Sequence, residues 1–177
     1  MTKAFYELVL SSQAVGEFLQ YIDTGIEFTE VKQDYMNELY QYCNIHRIPD
    51  DASVSQQVKD IFHHFNQEYF QYDLFGTYEM QLLKYTKGGK YNWHSDYGVS
   101  ENPYGDRKLS LSLQLSDPME YRGGTMRIRD WYNREYDMAL ECGNAMVFDA
   151  RVPHRVFPVD EGTRYAVVAW AHGPKLR

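Results

Sequence analysis

Between Arg107 and Leu115 the chain reads Arg-Lys-Leu-Ser-Leu-Ser-Leu-Gln-Leu, with leucine at 109, 111, 113 and 115 and Ser110, Ser112 and Gln114 between them. Such alternation marks a β-strand, because successive side chains leave a strand on opposite faces. One face is all leucine and fits beneath covering helices. The other, of two serines and a glutamine, is suited to line a pocket.

Outward from this strand the same period of two recurs. Candidate strands fall at about 78–85, 91–95, 107–115, 123–129, 137–142, 144–149, 153–157 and 163–171. Lys87-Gly88-Gly89, Pro103 and Gly105 within the loop 97–106, Asp117-Pro118, Gly123-Gly124, Gly143-Asn144 and Glu161-Gly162 punctuate them. About eight short antiparallel strands at this spacing predict a double-sheet jelly roll, or double-stranded β-helix. The first third reads helical. Val15, Phe18, Leu19 and Ile22 share a face over 11–22, and Tyr35, Met36, Leu39 and Tyr40 form a stripe over 33–42. Beyond Pro49, a cap at Ser53 or Ser55 opens a long helix to about Phe70, with Val58, Ile61, Phe62, Phe65 and Tyr69 inward. His63 and His64 on that helix read as a solvated pair. The expectation is one α+β domain, 1–177, with a mainly helical support (1–77) packed on one sheet of a core (78–171).

The 177 residues suit one core, and 44% apolar content can fill it. A net charge of −7 with dispersed Lys and Arg disfavours a nucleic-acid partner, which needs a concentrated cationic surface. No apolar run reaches the roughly 20 residues of a membrane span, and no secretory signal is visible. Cys43 and Cys142 lie outside any Cys-x-x-Cys spacing, which fits reduced thiols and a cytoplasmic protein.

His94-Ser95-Asp96 follows the second candidate strand, and His154 opens the seventh. Residues two apart on an extended segment point the same way, so His94 and Asp96 can share a metal. In a jelly roll the second and seventh strands are antiparallel neighbours, which brings His154 opposite the pair. Two histidines and one carboxylate form the facial triad that holds Fe(II) and leaves positions open. A structural zinc site would normally be closed by four ligands, and only three are found. Arg164 opens the last strand and shares parity with Ala166, Val168 and Trp170. An inward arginine is costly without an anion, and no nearby strand offers an acidic partner, so a ligand carboxylate is implied. Ser112 and Gln114 would line the pocket beside it. Asp149 is placed to hold Arg151 or the backbone before His154. Trp93 and Trp170 read first as packing residues, and Trp170 is a candidate support for the metal ligands. His46 and His172 have no partner at ligand spacing.

Three stretches carry a resemblance. They are Tyr85 with Tyr91-Asn92-Trp93-His94-Ser95-Asp96, Arg107 to Ser116 with Gly123-Gly124-Thr125-Met126-Arg127-Ile128, and Pro153-His154-Arg155-Val156 with Thr163-Arg164-Tyr165-Ala166-Val167-Val168-Ala169-Trp170. Together, over about 80–170, they resemble the Fe(II)/2-oxoglutarate oxygenases of the prolyl 4-hydroxylase type, including those acting on hypoxia-inducible factor. The resemblance implies Fe(II) on His94, Asp96 and His154, and the distal carboxylate of 2-oxoglutarate on Arg164. It places Tyr85 in the oxoglutarate pocket and O2 at the metal, with ascorbate as a reductant. Gln114 stands where the hypoxia-type enzymes carry a tyrosine.

The implied activity is hydroxylation of a peptidyl or procollagen-type proline coupled to 2-oxoglutarate decarboxylation. The expected partner is a proline-containing peptide or protein. Tyr97 and Tyr104, in the loop after the metal ligands, are candidate substrate contacts, as are Trp131 and Arg127 beyond the fourth strand. Tyr121 and Tyr132 are further aromatic candidates. Hydroxylation of a free amino acid or small metabolite is an alternative, and a non-catalytic metal-binding jelly roll another. A nucleic-acid demethylase ranks low, since its relatives carry a second arginine where this chain has Trp170.

Overall fold

The computed structural model describes residues 3–97 and 105–175. The elements run β1 (Phe5–Val9), α1 (Ser12–Asp23), β2 (Thr29–Tyr35), β3 (Glu38–Arg47), α2 (Ser55–Phe65), β4 (Tyr78–Tyr85), β5 (Lys90–His94) and β6 (Asp106–Gln114). Then follow β7 (Tyr121–Gly123), β8 (Met126–Arg129), β9 (Glu135–Asp137), β10 (Asn144–Asp149), β11 (His154–Val156), β12 (Val159–Gly162) and β13 (Arg164–Gly173). Eleven strands form one antiparallel sheet in the order β1-β10-β6-β13-β4-β3-β5-β11-β8-β9, with β2 on β3, and β12 pairs with β7. This is a curled half-barrel with two helices, the jelly-roll architecture expected.

The long strand β3 joins the two halves of the sheet. Its residues Asn44–Arg47 pair with β4, whereas Gln41 and Tyr42 pair with β5. The segment 33–42, expected as a helix, is therefore a hairpin. Met36 and Asn37 turn it with φ of 50° and 65°, a two-residue turn of the primed kind made without glycine. Its alternating aromatics also satisfy a three- and four-residue spacing, which is why the helical reading arose. Two other expectations change. Residues 138–142 leave the sheet, and only Glu135–Asp137 pairs there. Neither Ser53 nor Ser55 caps α2: Val54 occupies that position without a side-chain bond, and the Ser55 hydroxyl donates to the Pro49 carbonyl at 2.6 Å. The helix continues as a π-helical turn, Asn66–Phe70, and stops at Gln71 in the left-handed region.

Ser11 caps α1 by accepting from the Ala14 N–H. Val15 and Phe18 of α1, with Val58, Phe62 and Phe65 of α2, cover the leucine face of β6. Leu109, Leu111, Leu113 and Leu115 are all fully buried there, each contributing about 1.5–3 kcal/mol by leaving water. A second apolar cluster, including Leu83, Tyr85, Met126, Met146 and Phe148, lies inside the half-barrel. His63 and His64 are exposed, as expected. No described helix is long and apolar enough to cross a membrane.

Candidate active site

The half-barrel interior holds a cleft with the histidine–aspartate cluster at one end and Arg164 at the other. His94 ends β5 and His154 begins β11, and the two are direct cross-strand partners. Asp96 lies just past β5, where its N–H and that of Tyr97 both donate to the Ala150 carbonyl at 2.9 Å. That clamp turns the aspartate inward. The ligand atoms of His94, Asp96 and His154 lie within 4.8 Å of one another, and among the described residues no other His, Cys, Asp or Glu joins them. His94 Nε2 is 3.7 Å from Asp96 Oδ1, and His154 Nε2 is 3.5 Å from Asp96 Oδ2.

Both histidines are held in one tautomer. His94 Nδ1 meets the Asn92 carbonyl at 2.7 Å and His154 Nδ1 the Val152 carbonyl at 3.1 Å. A carbonyl only accepts, so Nδ1 carries the proton and the Nε2 lone pair faces the cluster. Burial, then the adjacent His154, lowers the pKa of His94 to about 4, so it stays neutral. Burial opposes charge on Asp96, yet the two histidines, the Ser110 hydroxyl and the Trp170 indole outweigh it and hold the carboxyl below its usual range. Two imidazoles and a carboxylate gathered on one side of a cleft fit a divalent first-row metal with open positions.

Asp96 Oδ2 accepts from Ser110 Oγ at 2.7 Å, so the polar face of β6 does position the cluster. Removing such an outer bond typically weakens metal affinity about 10–100-fold. Ser110→Ala is expected to lower Mn(II) affinity by that factor in a calorimetric titration, and an unchanged affinity would remove the role. Asp149 acts one step further out. It accepts from the Arg151 N–H at 2.9 Å and from the Arg151 guanidinium and Tyr72 hydroxyl, fixing the turn whose Ala150 and Val152 carbonyls hold Asp96 and His154.

At the far end Arg164 is 2% exposed, and among the described residues no carboxylate lies within ion-pairing distance. Its Nε donates to Gln114 Oε1 at 3.0 Å, and its guanidinium lies 5.5 Å from the Tyr85 ring centre. Gln114 in turn donates to the Tyr121 hydroxyl at 2.9 Å and the Ser116 carbonyl at 3.0 Å. The amide is thus committed to orienting Arg164. Gly124 makes room for it, at φ +65°, where an added Cβ would lie 3.1 Å from Arg164 Cδ and 2.8 Å from Val159 Cγ2. Tyr85, Ser112 and Trp170 line the same cleft. Burial pushes the Tyr85 hydroxyl far above its usual pKa, so it remains a neutral donor.

Of the candidate substrate contacts, Tyr97, Trp131 and Arg127 do not line this cleft. Tyr97 bonds Asp106 at 3.2 Å and borders a separate depression with Tyr72, Arg107 and Lys108. Tyr104 lies outside the described residues. Trp131 is 46% exposed beside Arg151, in a groove with Lys3 and Tyr132. Arg127 points off the opposite face of β8, where Asp137 holds it at 2.6 Å and Glu135 at 3.1 Å. Its alternate parity to the buried Met126 and Ile128 keeps it out of the cleft. The cleft is lined instead by Gln41, Gln81, Tyr91 and Met126, which were not anticipated as site residues. Gln41 was hidden by the helical reading of 33–42, and Tyr91 had a signal in its place three residues before His94. His46 is engaged by Tyr21 and the Glu27 carbonyl, and His172 by Glu79 at 2.8 Å.

Residues 80–172 match the family model of the 2OG-Fe(II) oxygenase superfamily. A PKHD-type hydroxylase of Stenotrophomonas maltophilia is 36% identical over 172 residues, covering 92% of this chain and 74% of that protein. Other curated relatives match over less: for the PKHD-type hydroxylase of Cupriavidus metallidurans, 53% of this chain and 42% of that protein. A Pseudomonas putida prolyl-4-hydroxylase superposes with a TM-score of 0.75 at 21% identity, covering 97% of this chain and 93% of that one. A Trichoplax adhaerens prolyl hydroxylase, solved with a hypoxia-inducible factor peptide fragment, superposes at 0.72 and 20% identity, covering 96% and 83%. The family match, residues 80–172, runs from within β4 to within β13 and takes in His94, Asp96, His154 and Arg164, and the chain belongs to the 2OG-Fe(II) oxygenase superfamily, a family that works with Fe(II), 2-oxoglutarate and O2.

Proposed function

We propose that this chain hydroxylates a prolyl residue within a peptide or protein, using Fe(II) held by His94, Asp96 and His154 and 2-oxoglutarate held by Arg164. The observation that carries the cosubstrate assignment is a buried guanidinium without a carboxylate partner in the same cleft as the metal-ligand cluster. A dicarboxylate reaches both ends of that cleft. Bound Fe(II) with 2-oxoglutarate and O2 supplies the oxidising chemistry, releasing succinate and CO2 as a substrate C–H becomes C–OH. The chain's own residues bind and orient: Arg164 presents its fork to the far carboxylate, Gln114 fixes that fork, and Leu83, Ala166 and Val168 keep water from it.

The charge inventory of the cleft favours a peptide over a free amino acid. Apart from the metal-ligand cluster and Arg164, its described lining is apolar, neutral amide, hydroxyl or aromatic. Nothing there pairs with both the ammonium and the carboxylate of a free amino acid, whereas a peptide brings neither charge to the reacting residue. The Trichoplax enzyme, with its bound peptide fragment, supports the same reading. Two cysteines outside any disulfide suit a reducing, cytoplasmic setting.

The test is mass spectrometry of proline-containing peptides and, separately, free proline after incubation with Fe(II) and 2-oxoglutarate. The expected result is one added oxygen on a peptide with matching succinate. Hydroxylation of the free amino acid alone would overturn the substrate assignment, and no succinate from any substrate would favour a non-catalytic module.

A further inference from the structure

Tyr91 lies flat on His94, with ring centroids 3.6 Å apart and planes 16° from parallel. Tyr40 meets Tyr91 edge-on at 5.5 Å, and Tyr35 meets Tyr40 at 5.7 Å. Tyr35 is 60% exposed beside the β2–β3 turn. Aromatic contact is therefore continuous from a proposed metal ligand to solvent. Cross-strand aromatics commonly pack in hairpins, and the Tyr40 hydroxyl also donates to the Trp93 carbonyl at 3.2 Å. All three rings here are phenols, whose low oxidation potential sets them apart from phenylalanine.

We propose that Tyr91, Tyr40 and Tyr35 form an electron relay that carries oxidising equivalents from the metal site to the surface when no substrate C–H is in reach. The inference rests on the iron assignment above. A one-electron vacancy at the site is filled from Tyr91, Tyr91 is refilled from Tyr40, and Tyr40 from Tyr35. The two interior phenols end unchanged, each refilled from its outer neighbour. Tyr35 loses an electron to Tyr40 and its phenolic proton to water, becoming a neutral tyrosyl radical. A one-electron reductant in solvent, of the enediol (ascorbate) or thiol class, then returns a hydrogen atom to Tyr35. Two such passages, together with two protons taken from water, remove the two oxidising equivalents left when 2-oxoglutarate is decarboxylated without substrate, and the remaining oxygen atom leaves as water.

The experiment loads the protein anaerobically with Fe(II) and 2-oxoglutarate, adds O2 without peptide, and follows three readouts. These are freeze-quench electron paramagnetic resonance, peptide mapping of oxidised residues, and succinate. In the wild type a tyrosyl signal is expected, quenched by ascorbate, with oxidation concentrated at Tyr35. In Tyr40→Phe the ring remains, its bond to the Trp93 carbonyl is lost and the relay is cut, and unchanged iron binding shows that His94 stays in place. The signal at Tyr35 should fall severalfold, oxidation should move to Tyr91 and the segment around His94, and self-inactivation should quicken. Neither Tyr35 nor Tyr40 lines the cleft, so peptide-coupled succinate release should be unchanged. Tyr35→Phe should shift the end of the relay to Tyr40. A wild-type signal and oxidation pattern in Tyr40→Phe, with succinate still formed, would overturn the relay and leave the iron assignment standing. Absence of succinate and of iron binding in the wild type would overturn both.

Discussion

His154→Ala is expected to bind less than a tenth of the wild-type Fe(II) at equal free metal and to release no succinate above background. The imidazole is one of only three described side chains able to ligate there. Losing an outer-sphere partner alone typically costs about 10–100-fold in affinity, and losing a ligand costs more. The fold should survive. β11 pairs with β5 and β8 through backbone groups that alanine keeps, and the imidazole's described packing is against His94 and the edge of Phe148. Iron stoichiometry and succinate, measured with excess Fe(II), decide the matter. Wild-type succinate from His154→Ala under iron supplementation would show that this ligand is misassigned.

Much of that site was legible before any coordinates, because it is written in period two. The alternation from Leu109 to Leu115 separates a face for the helices from a face for the cleft. The structure puts Leu109, Leu111, Leu113 and Leu115 in the helix-side core and points Ser110 and Gln114 at Asp96 and Arg164. The same parity argument set Arg164, Ala166, Val168 and Trp170 on one wall, where they are found. Four leucines against water leave such a strand only one register.

What was not legible depended on a turn or on distant pairing. The β2–β3 hairpin reverses at Met36-Asn37, two left-handed residues without the glycine that usually announces such a turn. Its tyrosines fit helical spacing as well as strand spacing. Missing that hairpin concealed Gln41 in the cleft and Tyr40 beside Tyr91. β1 is five residues whose partner, β10, lies some 140 positions along the chain, so no local pattern marks it. The directions of Tyr97 and Arg127 were not legible for another reason. Position after a metal ligand, or in an aromatic run, says nothing of which way a side chain turns. Tyr97 turns to Asp106 and Arg127 to Asp137.

Arg164→Ala should abolish 2-oxoglutarate binding while sparing metal binding. Its guanidinium is buried and hydrogen-bonded to Gln114, so the ligand-free protein carries the cost of a desolvated charge with no counter-ion. Binding the distal carboxylate removes that cost, and a fork-to-carboxylate contact in a dry site is among the stronger polar interactions. The variant leaves the ligand's carboxylate buried and unpaired, a loss of about 3–5 kcal/mol, or roughly two to four orders of magnitude in Kd. Thermal stability separates the two states. Ligand that binds only the folded form stabilises it by about 2.7 kcal/mol at a hundredfold excess over Kd, and this increment should vanish in Arg164→Ala. The ligand-free variant gains from losing a buried unpaired charge and loses the bond to Gln114, so its melting point is measured separately from the ligand-induced increment. Arg164→Lys should fall between, keeping the charge but losing the Nε donor that meets Gln114. Calorimetric titration of 2-oxoglutarate into the Mn(II)-loaded protein provides the measurement, with His154 and Asp96 intact to hold the metal. A Kd for Arg164→Ala equal to that of the wild type would place the distal carboxylate elsewhere in the cleft.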